Sequence, residues 1–316
     1  MKTSSQQSLL DLIIIGGSAA GVTAAVYAAR RTLNFLMVTG DIGGEVATSG
    51  EIDNFPGIPH TDGIAMTEKF TEQLTRYNVR IEQPVHVESV QKTESGFRVL
   101  GKHVSAPMSW EAKSVIVATG IHPKPLPVPH EQQFRGNGLT YCTTCDGPLY
   151  KGKVVVTIGG GNSALESALM LSELCPKVYL INKNETFKGD DTLIQKVHEH
   201  PNIEVILQAM TTNLLGDGQV SGIEYTTVSG GTKQIDGISG VFVHIGNIPN
   251  SAIVPPEVRK DAYGNIIVDK ECRTDVPGLF AAGDVTDVPF KQIVIAAGQG
   301  ATAALSVVAY LNRLKK

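Results

Sequence analysis

Close to its amino end the sequence reads Leu12-Ile13-Ile14-Ile15-Gly16-Gly17-Ser18-Ala19-Ala20-Gly21. Its first four residues form a short apolar run, which predicts a buried strand that ends at a pair of glycines. The alanine-rich segment from Ala19 to Arg30 has high helix propensity and predicts a helix. A second apolar run follows from Phe35 to Val38. Strand, glycine turn, helix and strand in this order predict a β-α-β unit.

The same pattern occurs a second time in the chain. An apolar run from Val154 to Ile158 precedes a glycine turn, a helical segment from Ser163 to Leu174 and a further run from Val178 to Ile181. Two such units in 316 residues favour two domains, since a domain has roughly 150 residues. The predicted fold class is therefore α/β, with two Rossmann-like, dinucleotide-binding three-layer domains.

The segments His122 to Pro129 and Gly246 to Asn250 are predicted crossings between the two domains. Four prolines in the first segment exclude a regular helix there. We therefore expect a first domain of residues 1–121 and 248–316, in which a second domain of residues 122–247 is inserted.

The composition excludes several classes of function. The formal net charge is −4 and 18% of the residues are charged, so neither nucleic acid nor an anionic membrane is an expected partner. No uninterrupted apolar run approaches the roughly 20 residues of a transmembrane helix. The alanine-rich segment from Ile293 to Leu311 predicts an ordinary helix. Four unevenly spaced cysteines do not resemble a secreted disulfide framework, so we expect a cytoplasmic protein.

The first glycine turn has the features of a dinucleotide-binding site. Gly16 allows the tight turn, and Gly21 allows the helix to pack closely on the strand. The helix that begins near Ala19 presents free N–H groups and a positive dipole end to a pyrophosphate. Ser18 occupies the place of the usual middle glycine, and an ordinary β-α turn stays open as the alternative.

The second glycine turn, Gly159-Gly160-Gly161-Asn162-Ser163-Ala164, fits the dinucleotide pattern better, because both leading glycines are present. The residues expected to bind a nucleotide are Gly159, Gly161, Asn162 and Ser163. We also expect Glu166 in the first turn of the helix, where the helix dipole favours a carboxylate.

The residues after the next strand indicate which pyridine nucleotide is used. An acid there accepts hydrogen bonds from the ribose of NADH, whereas basic groups pair with the 2′-phosphate of NADPH. The segment Asn182-Lys183-Asn184-Glu185-Thr186-Phe187-Lys188 has no acid at the strand end, and it contains two lysines. Lys183 and Lys188 can each neutralise a phosphate as a point charge, so NADPH is favoured over NADH.

The pair Cys142-Thr143-Thr144-Cys145 is followed by Asp146. A Cys-x-x-Cys pair near β-α-β units predicts a redox-active disulfide that stays exchangeable. Asp146 is interpreted as a proton relay to the departing thiolate, with a simple turn residue as the alternative. A zinc site needs four ligands, and Cys175 and Cys272 are isolated in the sequence, so no metal is expected.

A further segment ends in Gly283-Asp284 after the apolar run Leu279 to Ala282. Gly283 permits close approach of a ligand, and the carboxylate of Asp284 can hydrogen-bond a polyol chain. Together with the first glycine turn, this segment predicts an FAD site, so residues 1–121 and 248–316 are expected to form an FAD-binding domain. The inserted residues 122–247 are expected to bind NAD(P)H and to carry the redox disulfide.

With these motifs in place, the chain resembles the low-molecular-weight, bacterial-type thioredoxin reductases, which are class II pyridine nucleotide-disulfide oxidoreductases. The resemblance extends from Ile13 to about Leu311, and the block Cys-x-x-Cys-Asp-Gly is its most specific part. Further matching motifs are Gly43-Gly44-Glu45, Asn54-Phe55-Pro56-Gly57, Ala118-Thr119-Gly120, Gly283-Asp284 and Lys291-Gln292. By this resemblance, the added cofactor-binding residues are Gly44, Glu45, Asn54, Gly120, Lys291 and Gln292.

The resemblance implies a homodimer that passes electrons from NADPH to FAD, then to the Cys142–Cys145 disulfide and to a thioredoxin-type protein. It implies that Cys145 exchanges electrons with the flavin, that Cys142 attacks the target disulfide, and that Asp146 is the acid–base partner. It also implies a rotation of the nucleotide domain about the two crossings.

Several alternatives stay open at the level of sequence. The family's usual arginine clamp for the 2′-phosphate is replaced here by lysine and asparagine, so NADH or ferredoxin is an alternative donor. The stretch from Val288 to Gln299 also resembles the flavoprotein component of alkyl hydroperoxide reductase, which favours a peroxiredoxin-system reductase. That relative has an extra N-terminal thioredoxin-like module; only 11 residues precede the first strand here, so a separate thioredoxin-type acceptor is expected. A nucleotide-binding redox sensor is the non-enzymatic alternative.

Overall fold

The computed structural model describes residues 9–314 except Thr48, Gly50 and Asp53, and of Glu51 and Cys145 it describes only the backbone. The described chain divides into two compact units. The first unit comprises the residues up to His122 together with those from Ile248 onward, and the second comprises Pro123–Asn247. The domain boundaries predicted from the sequence lay between residues 121 and 122 and between residues 247 and 248.

The strands follow in chain order as β1 (Leu12–Ile15), β2 (Phe35–Val38), β3 (Glu51–Ile52), β4 (Thr61–Asp62), β5 (Ile81–Glu82), β6 (His86–Thr93), β7 (Gly96–His103), β8 (Ala106–Ala112), β9 (Val115–Val117), β10 (Ile121–Pro123), β11 (Leu139–Thr140), β12 (Val154–Gly159), β13 (Lys177–Ile181), β14 (Ile203–Ile206), β15 (Ala209–Leu215), β16 (Gly222–Thr227), β17 (Thr232–Asp236), β18 (Gly240–His244), β19 (Asn247–Pro249) and β20 (Leu279–Ala281). The α-helices are α1 (Ala19–Arg30), α2 (Gly63–Arg76), α3 (Glu131–Phe134), α4 (Thr143–Asp146), α5 (Asn162–Ser172), α6 (Asp191–Glu199) and α7 (Ile293–Leu314).

The first unit is built on a parallel sheet with the strand order β20-β9-β1-β2-β5. Successive side chains of β1 point to opposite faces, and both faces are covered. Leu12 and Ile14 pack with α1, α2 and α7, whereas Ile13 and Ile15 pack with the antiparallel sheet β6-β7-β8. Burial on both faces explains why β1 is a continuous apolar run and does not alternate between apolar and polar residues.

The second unit repeats this arrangement with the parallel sheet β11-β18-β12-β13-β14. Val155 of β12 packs with α5 and α6 on one face of the sheet. Val156 and Ile158 pack on the other face with the antiparallel sheet β15-β16-β17. The predicted α/β class with three-layer domains is thereby confirmed.

The predicted helices and strands agree closely with the structure where the sequence is apolar and continuous. The bounds of α1 and β2 are those predicted. The second unit's first long helix runs from Asn162 to Ser172, whereas the prediction was Ser163 to Leu174. The shift arises because Gly161 is the N-cap in extended backbone, so the helix starts directly after the last glycine of the turn.

The C-terminal helix α7 is long and apolar enough to cross a membrane by length and composition alone. In this structure one of its faces lies in the core of the first unit against α1, with Ala296, Ala303, Ala304 and Val307 buried there. At Gly300 the two helices approach so closely that a Cβ atom would lie 2.1 Å from the carbonyl oxygen of Ala20.

We therefore expect Gly300→Ala to destabilise the first unit by about 1–3 kcal/mol, because the added methyl group forces α1 and α7 apart. Gly298→Ala is the matched control on the same helix, since no described atom lies within 4 Å of its Cβ position. That control is expected to stabilise the helix by about 0.5–1 kcal/mol. Urea unfolding followed by circular dichroism measures the free energy of unfolding of both variants. Equal effects of the two substitutions contradict the prediction.

Candidate functional site

The first glycine turn is shaped by two contacts between backbone atoms. Gly16 has φ +114°, and a Cβ there would lie 2.2 Å from the carbonyl oxygen of Ala118. A Cβ on Gly21 would lie 1.9 Å from the carbonyl oxygen of Gly16. Both positions therefore require glycine, as the motif predicts. Ser18 is the N-cap of α1, so the free N–H groups of the helix start follow directly from the turn.

A cavity of about 1180 Å³ opens at this turn within the first unit. It is lined by the glycine turn, the end of β2, the residues after β9 and the residues around Asp284. Of the sequence-predicted cofactor residues, those lining it are Gly16, Ser18, Ala19, Gly44, Glu45, Gly120, Gly283, Asp284, Lys291 and Gln292. Asn54 does not line the cavity, but its Nδ2 donates a hydrogen bond to Oε1 of Gln292 at 3.1 Å. Gly21 packs behind the turn.

Asp284 lies at the wall of this cavity. Its Oδ1 is buried, and within the described residues no group donates a hydrogen bond to it. Burial raises the pKa of Asp284, whereas the ammonium of Lys291 lowers it. Lys291 itself donates to the backbone carbonyls of Asp284 and Thr286, at 3.0 and 2.6 Å. An unpartnered carboxylate oxygen at the wall of a large cavity is suited to accept hydrogen bonds from the hydroxyl groups of a ligand.

Two supporting residues of this cavity were missed in the sequence. Oε1 of Gln299, on α7, accepts hydrogen bonds from the backbone N–H of Gly283 at 2.7 Å and from the hydroxyl of Thr286 at 3.2 Å. Oδ1 of Asp41 accepts from the backbone N–H of Gly44 at 3.0 Å and so fixes the turn that carries Glu45. Desolvation raises the pKa of Glu45, His122 opposes that shift, and Asp41 and Asp284 add to it.

The second glycine turn repeats the backbone geometry of the first. Gly159 has φ +148°, and a Cβ there would lie 2.2 Å from the carbonyl oxygen of His244. The Cβ position of Gly161, the N-cap of α5, has no described atom within 4 Å, which leaves the start of the helix open to a ligand. Ser163 is exposed at this helix start.

One prediction at the second turn was wrong. Glu166 is the fifth residue of α5 and lies beyond the first turn, because the helix begins at Asn162; it is exposed. The side chain of Asn162 makes two hydrogen bonds within the protein. Its Oδ1 accepts from the backbone N–H of Asp190 at 2.8 Å, and its Nδ2 donates to Oδ2 of Asp190 at 3.0 Å. Asn162 therefore anchors the segment before α6.

The segment between β13 and α6 folds beside the second turn. Asn182 is 2% exposed, and its side-chain amide hydrogen-bonds its own loop, at Asn184 and Thr186. The backbone N–H of Lys188 donates to the carbonyl of Gly160 at 2.7 Å. Lys183 and Lys188 are exposed, and neither forms an ion pair with an acid in the described part of the chain.

Cys142 is disulfide-bonded, while Cys175 and Cys272 are free and buried. Cys145 lies in α4, but its side chain is outside the described residues. The hydroxyl of Thr140 donates a hydrogen bond to Oδ2 of Asp146 and accepts one from the backbone N–H of Cys142 at 3.1 Å. The predicted pair of Cys142 and Asp146 is therefore linked through a threonine hydroxyl that the sequence analysis missed.

A second polar group missed in the sequence surrounds Thr143, the residue after Cys142. The hydroxyl of Thr143 lies 2.6 Å from Oγ of Ser167 and 2.8 Å from Nε2 of His244. Burial lowers the pKa of His244 to about 4, so the imidazole is neutral at pH 7. These three residues lie on α4, α5 and β18, and no local sequence motif predicts their contact.

A third missed cluster supports Tyr141 on the other side of Cys142. The hydroxyl of Tyr141 donates to Oε1 of the buried Glu131 at 2.5 Å and accepts from the backbone N–H of Leu126 at 2.7 Å. Arg135 donates to the same carboxylate oxygen at 2.7 Å and stacks over the Tyr141 ring. Burial and the bond to Glu131 raise the pKa of Tyr141 to about 12. Side-chain contacts thus hold the residues before and after Cys142. The segment 142–146 is named the redox turn after its predicted role.

Residues 10–300 match the family model for pyridine nucleotide-disulphide oxidoreductase. The chain belongs to the pyridine nucleotide-disulphide oxidoreductase family. Membership implies a flavin and a pyridine nucleotide, and the cavity fits such a group because it is large, open to the start of α1 and carries the unpartnered oxygen of Asp284. In the parts of the chain that are described, no cluster of three or more His, Cys, Asp or Glu side chains could hold a metal ion.

The chain is similar to several named proteins and solved structures. The F component of alkyl hydroperoxide reductase from Xanthomonas campestris pv. phaseoli is 40% identical over 304 residues, which are 96% of this chain and 57% of that protein. The chain thus spans little more than half the length of this relative. Among solved structures, thioredoxin reductase of Lactococcus lactis matches with TM-score 0.82 and 29% identity, and that of T. acidophilum with TM-score 0.79 and 37% identity. Each covers 96% of this chain and is itself 99% covered. The resemblance to bacterial-type thioredoxin reductases is confirmed.

We expect Asp284→Ala to weaken flavin binding about 10–100-fold, because a hydrogen bond to a charged group is worth ~1.5–3 kcal/mol. Titration of the flavin-free protein with FAD, followed by flavin fluorescence, measures the dissociation constant. Asp287→Ala is the matched control, since the Asp287 carboxylate is exposed and accepts from the backbone N–H of Val268 at 3.2 Å. An Asp284→Ala protein that binds FAD as tightly as the control contradicts the assignment.

Proposed function

We propose that the protein is an FAD-dependent protein-disulfide reductase that takes electrons from NADPH and reduces a thioredoxin-type protein through a Cys142–Cys145 disulfide. One combination of features carries this proposal. The first unit has a dinucleotide-sized cavity with an unpartnered carboxylate oxygen, and the second unit has a disulfide-bonded Cys142 next to a second β-α-β unit.

The first unit is proposed to hold FAD. Bound FAD supplies two-electron chemistry between a pyridine nucleotide and a disulfide. The start of α1, after Gly16 and Ser18, receives the pyrophosphate, because it offers free N–H groups and the positive end of the helix dipole. Asp284 accepts hydrogen bonds from the polyol chain. Gln299 and Lys291 hold the backbone around Asp284 in place through the contacts described above.

The redox turn is proposed to carry out thiol–disulfide exchange. In the reduced state the Cys142 thiolate attacks the target disulfide, one target sulfur leaves, and the Cys145 thiolate then attacks Cys142 to release the second target thiol. The protein ends with its own disulfide, and the target ends with two thiols. Thr140 supports Asp146 as the proton carrier, because one hydroxyl group links the Asp146 carboxylate to the backbone of Cys142.

NADPH is proposed as the donor, bound at the second glycine turn. Lys183 and Lys188 support this choice, since both ammonium groups are exposed beside the turn and unpaired with acids among the described residues. Asn182 stands at the strand end where an NADH site has an acid for the ribose diol, and its amide hydrogen-bonds its own loop. NADH and ferredoxin are the alternative donors.

A thioredoxin-type acceptor is proposed on the basis of the solved relatives and of Leu149, which is 69% exposed shortly after the redox turn and offers an apolar contact to a partner protein. The second candidate is a peroxiredoxin-system reductase, which the 40% identity to the F component of alkyl hydroperoxide reductase favours. We further propose a cytoplasmic homodimer. The exposed apolar side chains of α7, Val294, Leu305 and Leu314, support an association of this kind.

The donor is tested by mixing the FAD-loaded protein anaerobically with NADPH or NADH in a stopped-flow instrument and following flavin bleaching. We expect fast bleaching by NADPH. In a Lys183→Ala/Lys188→Ala protein the NADPH concentration for half-maximal rate rises about 10–100-fold, since charged hydrogen bonds are worth ~1.5–3 kcal/mol. Its response to NADH is unchanged. Lys233→Ala, an exposed lysine on β17, is the control and leaves both rates unchanged.

The acceptor is tested with the same protein once it is reduced. Oxidation of the reduced protein by a thioredoxin supports the first candidate, and preferential oxidation by a disulfide-bonded peroxiredoxin supports the second. Absence of bleaching by either nucleotide rejects the donor assignment, and a reduced protein that transfers electrons to neither acceptor rejects the reductase assignment.

A further inference from the structure

A buried hydrogen-bonded network lies directly behind the redox turn in the second unit. Thr143 is 6% exposed, Ser167 is 3% exposed and Thr157 is fully buried. The Thr143 hydroxyl contacts both Oγ of Ser167 at 2.6 Å and Nε2 of His244 at 2.8 Å, and Thr157 lies 3.5 Å from Ser167. None of these side chains takes part in the proposed thiol–disulfide exchange.

The network joins the redox turn to the elements that form the second glycine turn. Thr143 directly follows Cys142 and begins α4, and Ser167 lies on α5, the helix that starts at the glycine turn. His244 ends β18 in register with Gly159, so its backbone borders the glycine turn while its side chain reaches Thr143. No other described side chain hydrogen-bonds the Thr143 hydroxyl.

The chemistry of a neutral imidazole suits this place. Its two ring nitrogens comprise one donor and one acceptor, and a threonine hydroxyl can act in both ways. Either direction of the hydrogen bond between His244 and Thr143 therefore lets Thr143 make a complementary bond to Ser167. Burial holds the imidazole in this neutral form, with its pKa at about 4. An aliphatic side chain at position 244 would leave a buried hydroxyl with one partner fewer.

We propose that His244 is a positioning residue for the redox turn, which it holds through Thr143 in the geometry of the disulfide form. The inference rests on the proposed function only in taking the disulfide of Cys142 as the redox-active group. The network is present while Cys142 is disulfide-bonded. Opening the disulfide separates two bonded sulfurs to non-bonded distance, so the residues of the turn shift relative to fixed groups on α5 and β18. The contacts of Thr143 therefore favour the oxidised form, and their loss makes the disulfide easier to reduce.

The test is an anaerobic redox titration of the FAD-loaded protein in buffers of oxidised and reduced dithiothreitol, with trapping of thiols by alkylation and mass spectrometry of the Cys142 peptide. We expect His244→Leu to shift the exchange equilibrium toward the dithiol by about tenfold, which is ~30 mV for a two-electron couple. Thr143→Val removes the contact with His244 and also the contact with Ser167, so its shift is at least as large. The double variant shifts no further than Thr143→Val alone, because that variant has already lost the contact with His244.

Two further variants distinguish a positioning role of His244 from a general effect on protein stability. His244→Gln retains a side-chain N–H donor near the Nε2 position and restores most of the wild-type equilibrium. His200→Leu is the matched control. The Nε2 of His200 contacts Oγ of Ser172 at 3.1 Å on the same helix α5, but it has no contact with the redox turn within the described residues. This control leaves the redox equilibrium of Cys142 unchanged.

An unchanged or opposite shift in both His244→Leu and Thr143→Val, or an equal shift in His200→Leu, overturns the inference. Circular dichroism confirms that each variant is folded, and if His244→Leu fails to fold, Thr143→Val decides alone. The result of this titration does not depend on the proposed function, because the dithiothreitol equilibrium needs no pyridine nucleotide and no protein acceptor. A wild-type protein whose Cys142 equilibrates with dithiothreitol but receives no electrons from the flavin refutes the function and leaves this inference testable.

Discussion

Both units depend on the same close approach of two backbones at the end of a central strand. In the first unit the Cβ position of Gly16 lies 2.2 Å from the carbonyl oxygen of Ala118, and in the second the Cβ position of Gly159 lies 2.2 Å from that of His244. Only glycine allows this approach, and both glycines have positive φ. The approach lets the next helix begin within a few residues of the strand end, so that its N-terminus faces a ligand.

The surroundings of the two turns differ, because the residue whose carbonyl lies against the glycine carries a different side chain in each unit. In the first unit Ala118 has a small side chain, and the space beyond it belongs to the large cavity with Asp284 at its wall. In the second unit the equivalent carbonyl belongs to His244, whose imidazole reaches the residue after Cys142. One backbone constraint therefore serves a cofactor cavity in one unit and the support of a disulfide turn in the other.

The parts of the structure that the sequence predicted are those set by local patterns. The apolar runs located β1, β2 and β12, and the glycines located both turns, because burial and positive φ restrict residue type at single positions. Glu166 was placed wrongly in the first helical turn, since a one-residue shift of the helix start moved it to the fifth position. The contact of Thr143 with His244 was missed because it links distant residues, which are 101 positions apart in the sequence.

In the proposed reductase, electrons that reduce the flavin are transferred to the disulfide of Cys142. The most direct measurement adds one two-electron equivalent of dithionite anaerobically to the FAD-loaded protein, then alkylates the thiols and identifies them by mass spectrometry. This route bypasses the question of the natural donor. We expect the flavin to return to its oxidised spectrum and Cys142 and Cys145 to become alkylated. A flavin that stays reduced while Cys142 remains unmodified would contradict this electron path.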